Sequence, residues 1–297
     1  MLLLSAVGMK EHGMHTSHQQ NEGPLTEDRP TVTVTFVGHA TVIIQVGDVR
    51  VITDPMWSER SYPIFGSKRL SSPGIPLDSL PRIDAVVISH NHFDHLDAYS
   101  IEQIWKRFGP IFVVPQGLRK WFGEEQRASV RELRWWDSIQ LKGVTITCVP
   151  ASHRGSTIPL TARSEDDLCA GWIVSGDSAR VLFAGDTRYF SGFRQMRERF
   201  GPISVALLPI GPFYGEHMFG YDVVRASKDL QAEYLIPIHW GTFEQDPYSL
   251  DLPLRMLVKA MNESDIRSTK LIVLQEGESA IFDLDRREGL RVVHRKR

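Results

Sequence analysis

The chain has 297 residues, of which 42% are hydrophobic, so it is long enough for one large α/β domain or for two. Its formal net charge is −2, which argues against a nucleic acid as partner, because nucleic-acid-binding proteins usually carry a basic surface. The two cysteines, Cys148 and Cys169, lie in apolar segments and are predicted to be core residues rather than a disulfide, as in a cytoplasmic protein.

Residues 1–30 are predicted to form a flexible tail. Residues 1–7 are apolar, but they are too few to span a bilayer and lack the basic residues that lead an export signal. The polar part of the tail contains His12, His15 and His18, for which we expect no metal role. Residues 31–297 are predicted to form a single domain, whose two halves meet near residues 160–170.

The domain begins with a predicted meander of three strands. Residues 31–37 alternate polar and apolar side chains, and apolar strands follow at residues 41–46 and 49–53. Gly47-Asp48 between the last two predicts a hairpin turn.

Strands and helices alternate in the rest of the chain. Asp97 is predicted to cap a helix over residues 98–108, where apolar side chains recur at helical spacing. Further strands are predicted at residues 85–88, 111–114, 144–149, 172–174, 180–184, 234–238, 271–274 and 280–283. Further helices are predicted at residues 194–200, 223–230 and 254–261. This order suits two sheets that pack face to face with helices outside them.

The segment His90-Asn91-His92-Phe93-Asp94-His95 places four candidate metal ligands in six residues, directly after the apolar run at 85–88. An H-x-H-x-D-H array cannot put all its ligands on one face of a helix or strand, whereas a tight loop can fan them around two adjacent ions. Imidazole and carboxylate ligands suit zinc, with manganese and iron as alternatives. A histidine-rich polar loop is the alternative interpretation, which the specificity of the pattern disfavours.

Three more candidate ligands follow predicted strands in the same way. His153, Asp186 and His239 each come just after an apolar run. Because several strand ends can meet at one edge of a sheet, we expect these side chains to converge on one site.

These segments resemble the metallo-β-lactamase superfamily. The resemblance rests on H-N-H-F-D-H-L-D at residues 90–97, F-A-G-D-T at 183–187 and I-H-W-G-T-F at 238–243. Within the superfamily, the branch of N-acyl phosphatidylethanolamine phospholipase D and its bacterial relatives is the most similar, through G-H-A-T at 38–41 and T-D-P at 53–55. The resemblance implies an α/β fold, a four-layer αββα sandwich of two facing mixed β-sheets with helices outside.

The resemblance also implies a dinuclear metal centre. One ion would be held by His90, His92 and His153, the other by Asp94, His95 and His239, and Asp186 would bridge the two. Neutral histidines leave positive charge on the ions, so that a bridging water can ionise near neutral pH.

Five residues in or near these segments are candidates for a further role. Asp94 is also a catalytic candidate, which would orient the bridging water and accept its proton. His217 resembles a histidine of related hydrolases and is a candidate for contact with the substrate or leaving group. His39 is expected to support the site by contacting a metal-binding side chain or the backbone. Arg154 and Arg188 either stabilise developing negative charge or form surface salt bridges.

The predicted function is that of a metal-dependent hydrolase, in which a hydroxide held by two divalent ions attacks a phosphodiester. A phospholipid of the N-acyl phosphatidylethanolamine type is one candidate substrate. The alternative is a lactone or acyl-ester hydrolase with the same centre, and a third hypothesis is a non-catalytic metal-binding protein. A small-molecule or lipid ester is therefore the expected partner. Peripheral membrane contact through the aromatic loops at residues 56–66 and 211–219, and a homo-oligomer, are compatible with the sequence.

Overall fold

The computed structural model describes residues 31–64, 66–153, 169–176, 179–211, 217–244, 249–283 and 289–293. The predicted tail, residues 1–30, lies outside this part of the chain. The strands are β1 (Thr31–Gly38), β2 (Thr41–Val46), β3 (Val49–Thr53), β4 (Ala85–Val87), β5 (Ile111–Pro115), β6 (Val130–Leu133), β7 (Ser138–Leu141), β8 (Val144–Pro150), β9 (Ala170–Ser175), β10 (Arg180–Phe183), β11 (Val205–Pro209), β12 (Tyr234–Ile238), β13 (Lys270–Leu271), β14 (Ser279–Asp283) and β15 (Gly289–Val293). The helices are α1 (Ala98–Phe108), α2 (Gly192–Phe200), α3 (Gly220–Leu230) and α4 (Leu252–Glu263).

The described strands form two mixed sheets. The first has the order β15-β14-β1-β2-β3-β4-β5-β6, and the second has the order β13-β12-β11-β10-β9-β8-β7. Within the described residues, the chain passes from the first sheet to the second between Leu133 and Ser138, and it returns between Leu271 and Ser279. The predicted meeting point of the two halves, residues 160–170, falls mostly outside the described residues.

The two sheets pack face to face, and helices cover their outer faces. Phe36 of β1 and Trp172 of β9 belong to one buried cluster that contains side chains from both sheets. A second cluster joins the outer face of the first sheet to Ile101 and Ile104 of α1. A third joins the second sheet to α2, α3 and α4. These three layers of apolar contact confirm the predicted αββα sandwich.

One edge of this sandwich collects the ends of seven strands. β3 and β4 run parallel, and β1 shares their direction because both β1 and β3 pair antiparallel with β2. In the second sheet β10, β11 and β12 run parallel, and β8 shares their direction because both β8 and β10 pair antiparallel with β9. Side chains that follow these strands therefore meet at the same edge, as ligand-binding residues do in open α/β sheets.

Several elements differ from the sequence prediction. β11 was not predicted, because all five of its residues are buried and a continuous apolar run has no period that distinguishes a strand from a helix. The edge strands β6 and β7 and the final strand β15 were also missed. The predicted strand at 271–274 already ends at Leu271, since the chain then crosses to the first sheet, where the Gly277 N–H donates to the Phe36 carbonyl.

Asp97 joins helix α1 to the segment before it. As predicted, its side chain caps the helix, with Oδ1 accepting from the backbone N–H of Tyr99 at 3.3 Å. The same carboxylate accepts from the backbone N–H and the hydroxyl of Ser58 and from the hydroxyl of Ser100. One buried carboxylate thus stabilises both a helix end and the loop that follows β3.

We expect Asp97→Ala to lower the free energy of unfolding by about 3 kcal/mol, because it removes a helix cap and leaves buried donors without an acceptor. Urea unfolding followed by circular dichroism would measure the loss. Asp78→Ala, at an exposed aspartate, is the matched control and should cost about 0.5 kcal/mol or less. Equal stability of the two variants would contradict the assigned role of Asp97.

Candidate metal centre

The loop after β4 turns its histidines toward one point at the edge of the sandwich. His90 Nε2 lies 2.8 Å from His92 Nδ1, and His153 Nε2, from the loop after β8, lies 3.3 Å from the same atom. His90 and His95 are buried, whereas the side chain of Asp94 is 23% exposed. The loop therefore forms the floor of a site that solvent reaches past Asp94.

Asp186 occupies the centre of this site. It follows β10, and one of its oxygens, Oδ2, lies within 4 Å of the Nε2 atoms of several histidines. The distances are 3.0 Å to His217, 3.1 Å to His95, 3.3 Å to His239, 3.8 Å to His153 and 3.9 Å to His90. The fold thus brings together every residue that the sequence proposed as a ligand.

Donor atoms of the described residues form four overlapping groups, and within each group they lie within 4.8 Å of one another. Two of these groups are His90, His92, His153 and Asp186, and His39, Asp94, His95 and His239. Apart from His39, they match the two predicted ligand sets.

Buried polar atoms at the centre of the site support the presence of a cation. Both ring nitrogens of His239 and Oδ1 of Asp186 are buried and form no hydrogen bond with the described residues. Buried polar atoms are rarely left in this state, because each costs the free energy of its lost hydration. Imidazole nitrogens and carboxylate oxygens at these spacings fit divalent metal ions such as zinc.

The electrostatics of the site suit a cation. Burial opposes the ionisation of Asp186, but the imidazoles of His239 and His95 outweigh it and hold its pKa well below the usual range. Burial lowers the pKa of His90 well below its ordinary value and that of His153 to about 3. Both imidazoles are therefore neutral at pH 7, the form in which histidine binds a metal.

Comparison with known proteins identifies the family of this centre. The family model described as a beta-lactamase superfamily domain matches residues 49–240, which include every proposed ligand. The chain belongs to the metallo-β-lactamase superfamily. The fold that the sequence predicted is that of this superfamily.

Two relatives in this superfamily show how far the similarity extends. The chain is 36% identical over 246 residues to an uncharacterized protein of Mycobacterium tuberculosis, a match that covers 78% of this chain and 65% of that protein. It is 34% identical over 269 residues to N-acyl-phosphatidylethanolamine-hydrolyzing phospholipase D 1 of Caenorhabditis elegans, with 82% of this chain and 74% of that protein covered. The predicted resemblance to the phospholipase branch is confirmed.

A solved structure agrees with this assignment. Igni18, a metallo hydrolase from the archaeon Ignicoccus hospitalis, superposes with a TM-score of 0.64 at 25% identity, covering 85% of this chain and 98% of that one.

Among the described helices of the present protein, none combines the length and the apolar character needed to cross a membrane. The cytoplasmic location expected from the sequence stays a prediction.

Asp54 fixes the orientation of His95, a role that the sequence analysis did not assign. Asp54 is fully buried after β3, and its Oδ2 accepts from His95 Nδ1 at 2.7 Å and from the Ser89 hydroxyl at 2.5 Å. With the Nδ1 proton directed at Asp54, Nε2 of His95 faces Asp186. The available signal was the T-D-P segment, which places an acid at a strand end just as the ligand segments do.

His39 supports the site, as expected, through both its side chain and its backbone. Its Nε2 lies 3.1 Å from Asp94 Oδ2, and its carbonyl accepts from the backbone N–H of His239 at 2.8 Å. Its own N–H donates to the Thr242 hydroxyl at 2.8 Å. Burial lowers the pKa of His39 to about 3, so the ring is a neutral hydrogen-bond donor to the Asp94 carboxylate.

The remaining residues singled out in the sequence occupy different places in the structure. His217 lies at the centre, beside Asp186, with its ring centroid 4.5 Å from that of His239. Arg188 donates from Nε to the Ser152 carbonyl at 3.3 Å and so braces the segment that carries His153. Arg154 lies outside the described residues. Both cysteines are buried, and no disulfide joins them, as predicted.

We expect Asp54→Ala to weaken metal binding by about 10- to 100-fold, because His95 loses the partner that fixes its orientation. Competition with a chelator, followed by metal analysis, would measure the affinity. Asp84→Ala is the matched control, since Asp84 has a nearly buried side chain at the other end of β4 and bonds to Arg50 and Lys142. Metal affinity equal to that of the control would show that Asp54 does not position His95.

Proposed function

We propose that this protein is a metal-dependent hydrolase of phosphodiesters, with phospholipids of the N-acyl phosphatidylethanolamine type as candidate substrates. The observation that carries the proposal is the position of Asp186 Oδ2, within 4 Å of donor nitrogens from both sheets. One carboxylate oxygen shared by two groups of donors suits a centre in which two ions lie side by side.

The residues that would hold the ions follow from the two groups. His90, His92 and His153 would bind one ion, Asp94, His95 and His239 the other, and Asp186 both. When bound, zinc or a similar divalent ion would lower the pKa of a coordinated water and offset negative charge on the phosphate oxygens.

Asp94 is proposed to accept the proton of the attacking water. Burial acts to raise its pKa, but the nearby imidazoles of His95 and His39 hold it below the usual range, so the carboxylate is ionised. It is also the partly exposed acid of the site, and His39 fixes one of its oxygens. A carboxylate that is fixed, ionised and in contact with solvent can orient a water by accepting its hydrogen bond and can take up the proton as the water attacks.

His217 is proposed to stabilise or protonate the leaving oxygen. Its Nε2 lies 3.0 Å from Asp186 Oδ2, and its ring centroid lies 5.6 Å from that of His153. It therefore reaches the shared carboxylate from a further strand end, after β11, and lies beside both groups of donors. A histidine in this position can donate a proton to the oxygen that departs.

Similarity to the nematode phospholipase supports a phosphodiester as the substrate, rather than a lactone or carboxylic ester. That relative is named for hydrolysis of N-acyl-phosphatidylethanolamine, and the chain is similar to it over 74% of its length. The ligand segments of both sheets lie within the similarity to the superfamily.

We expect metal-loaded protein to hydrolyse bis(p-nitrophenyl) phosphate faster than p-nitrophenyl acetate or a homoserine lactone. Asp186→Ala should lose at least one metal ion and nearly all turnover, because both groups of donors lose their common oxygen. Asp229→Ala, at an aspartate on α3 that bonds to Tyr189, should retain both. Hydrolysis of the lactone or the carboxylic ester, but not of the phosphodiester, would contradict the proposed substrate class. Bound metal without hydrolysis of any of these substrates would favour a non-catalytic role.

The role of His217 can be tested with two leaving groups. We expect His217→Gln to slow hydrolysis of an alkyl phosphodiester by about 100-fold while changing that of a p-nitrophenyl diester by less than about 10-fold, because p-nitrophenolate departs without a proton. Metal content should be unchanged. If the variant instead loses metal, His217 is a ligand, and equal losses with both leaving groups would exclude proton donation.

A further inference from the structure

A hairpin beside the metal centre exposes apolar side chains at its tip. It is formed by residues 59–70, of which Phe65 lies outside the described residues. Ile64 is 76% exposed, more than any other large hydrophobic side chain in the described part of the chain. Tyr62, also near the tip, is 37% exposed, and Leu70, at the base of the hairpin, is 57% exposed. Single exposed apolar residues are common, but three within nine positions concentrate exposed apolar area on one hairpin.

The backbone holds this tip in place. The Ser61 N–H donates to the Ser67 carbonyl and the Gly66 N–H to the Tyr62 carbonyl, each at 3.0 Å. A Cβ at Gly66 would lie 2.0 Å from the Tyr62 nitrogen, so the tight turn requires glycine. Ile64 itself has φ +74°, a conformation that β-branched residues rarely adopt. Strain at an exposed apolar residue is typical of positions retained for binding rather than for stability.

The hairpin is attached to both metal-binding loops. The ring centroids of Tyr62 and Phe93 lie 4.5 Å apart, and Phe93 stands between the ligands His92 and Asp94. At the base, the Leu70 N–H donates to the Thr242 carbonyl at 2.7 Å, three residues after the ligand His239. A surface that binds the tip would therefore lie at a fixed position relative to the metal centre.

Phe93 also borders a groove on the other side of the loop. The groove has a volume of about 690 Å³ and lies between α1 and residues 121–126, with Trp105 and Trp121 among its lining residues. Trp121 is exposed at its mouth. Apolar and aromatic side chains thus extend from the hairpin tip past the metal-binding loop to this groove.

We propose that the tip of this hairpin inserts into the surface of a lipid bilayer and presents the metal centre to lipid headgroups. The inference rests on the proposed hydrolysis of phospholipids. Arg60 and Lys68 flank the apolar tip, and Glu59 is the acidic residue of the hairpin. Apolar side chains bordered by basic ones, with a tyrosine between them, match the interface of a bilayer that contains anionic lipids.

Not every aromatic residue of the two loops at residues 56–66 and 211–219 is exposed. Of the aromatic residues in the two loops, Trp57 is half-buried and donates from Nε1 to the Ile75 carbonyl at 3.0 Å. Phe219 is half-buried at the start of α3. Phe65 and Phe213 lie outside the described residues. The exposed large hydrophobic side chains in the described part of these loops are instead Tyr62 and Ile64.

Flotation with vesicles tests the proposal without any need for turnover. We expect the metal-loaded full-length protein to bind vesicles of phosphatidylcholine and phosphatidylglycerol more tightly than vesicles of phosphatidylcholine alone. Ile64→Glu should weaken vesicle binding by about tenfold or more, because it removes an aliphatic side chain that the bilayer would bury. Val258→Glu is the matched control, since it adds the same charge at a 37% exposed aliphatic residue on α4.

A second variant separates binding from folding. Ile64→Gly should unfold at a higher temperature than the parent protein, because glycine adopts positive φ without strain, and yet bind vesicles more weakly. Both Ile64 variants should retain their metal and their turnover of bis(p-nitrophenyl) phosphate.

Vesicle binding of the Ile64 variants equal to that of the parent would overturn the proposal, as would a parent protein that ignores vesicles. A parent that self-associates through Ile64 without binding vesicles would assign the surface to a second copy of the chain, which also overturns it. A different result is also possible: the parent protein binds vesicles, the Ile64→Glu variant does not, and neither hydrolyses a phosphodiester. This result would support docking of the hairpin while refuting the proposed function. The two failures are therefore distinguishable.

Discussion

The buried carboxylate of Asp186 is the group on which the rest of the site depends. Burial of an ionised carboxylate is costly unless positive charge or hydrogen bonds surround it. In this protein the compensation comes from imidazoles that approach Oδ2 from the loops after β4, β8, β11 and β12. Since those loops belong to both sheets, the apolar layer between the sheets sets the geometry of the metal centre.

A second layer of contacts holds the ligand loops in shape. Asp54 orients His95, and His39 links Asp94 to the backbone of His239. His39, Asp54 and His239 all have positive φ, which allows the chain to turn sharply as it leaves a strand. Non-glycine residues seldom adopt this conformation, and its repetition around one site indicates that strained backbone positions the donors.

The candidate metal ligands and the apolar contacts lie on opposite faces of one short loop. His92 and Asp94 face the metal centre, whereas Phe93, between them, contacts Tyr62 and borders the groove near α1. Alternate residues of the loop thus face the candidate metal centre and the outer surface. A molecule bound against Phe93 would therefore lie beside the candidate metal ligands His92 and Asp94.

The sequence by itself determined the candidate ligands, most strands and helices and the fold class. The H-x-H-x-D-H array, the strand-exit positions of His153 and Asp186, and the cap at Asp97 are local patterns of coordination chemistry and periodicity. Only the tertiary structure decided that β11 lies centrally in its sheet, that Asp54 contacts His95 and that Ile64 is exposed. Those properties depend on packing between residues that are far apart in the chain. The hydrophobic periodicity and the composition of a sequence describe only local segments, so they do not predict such contacts.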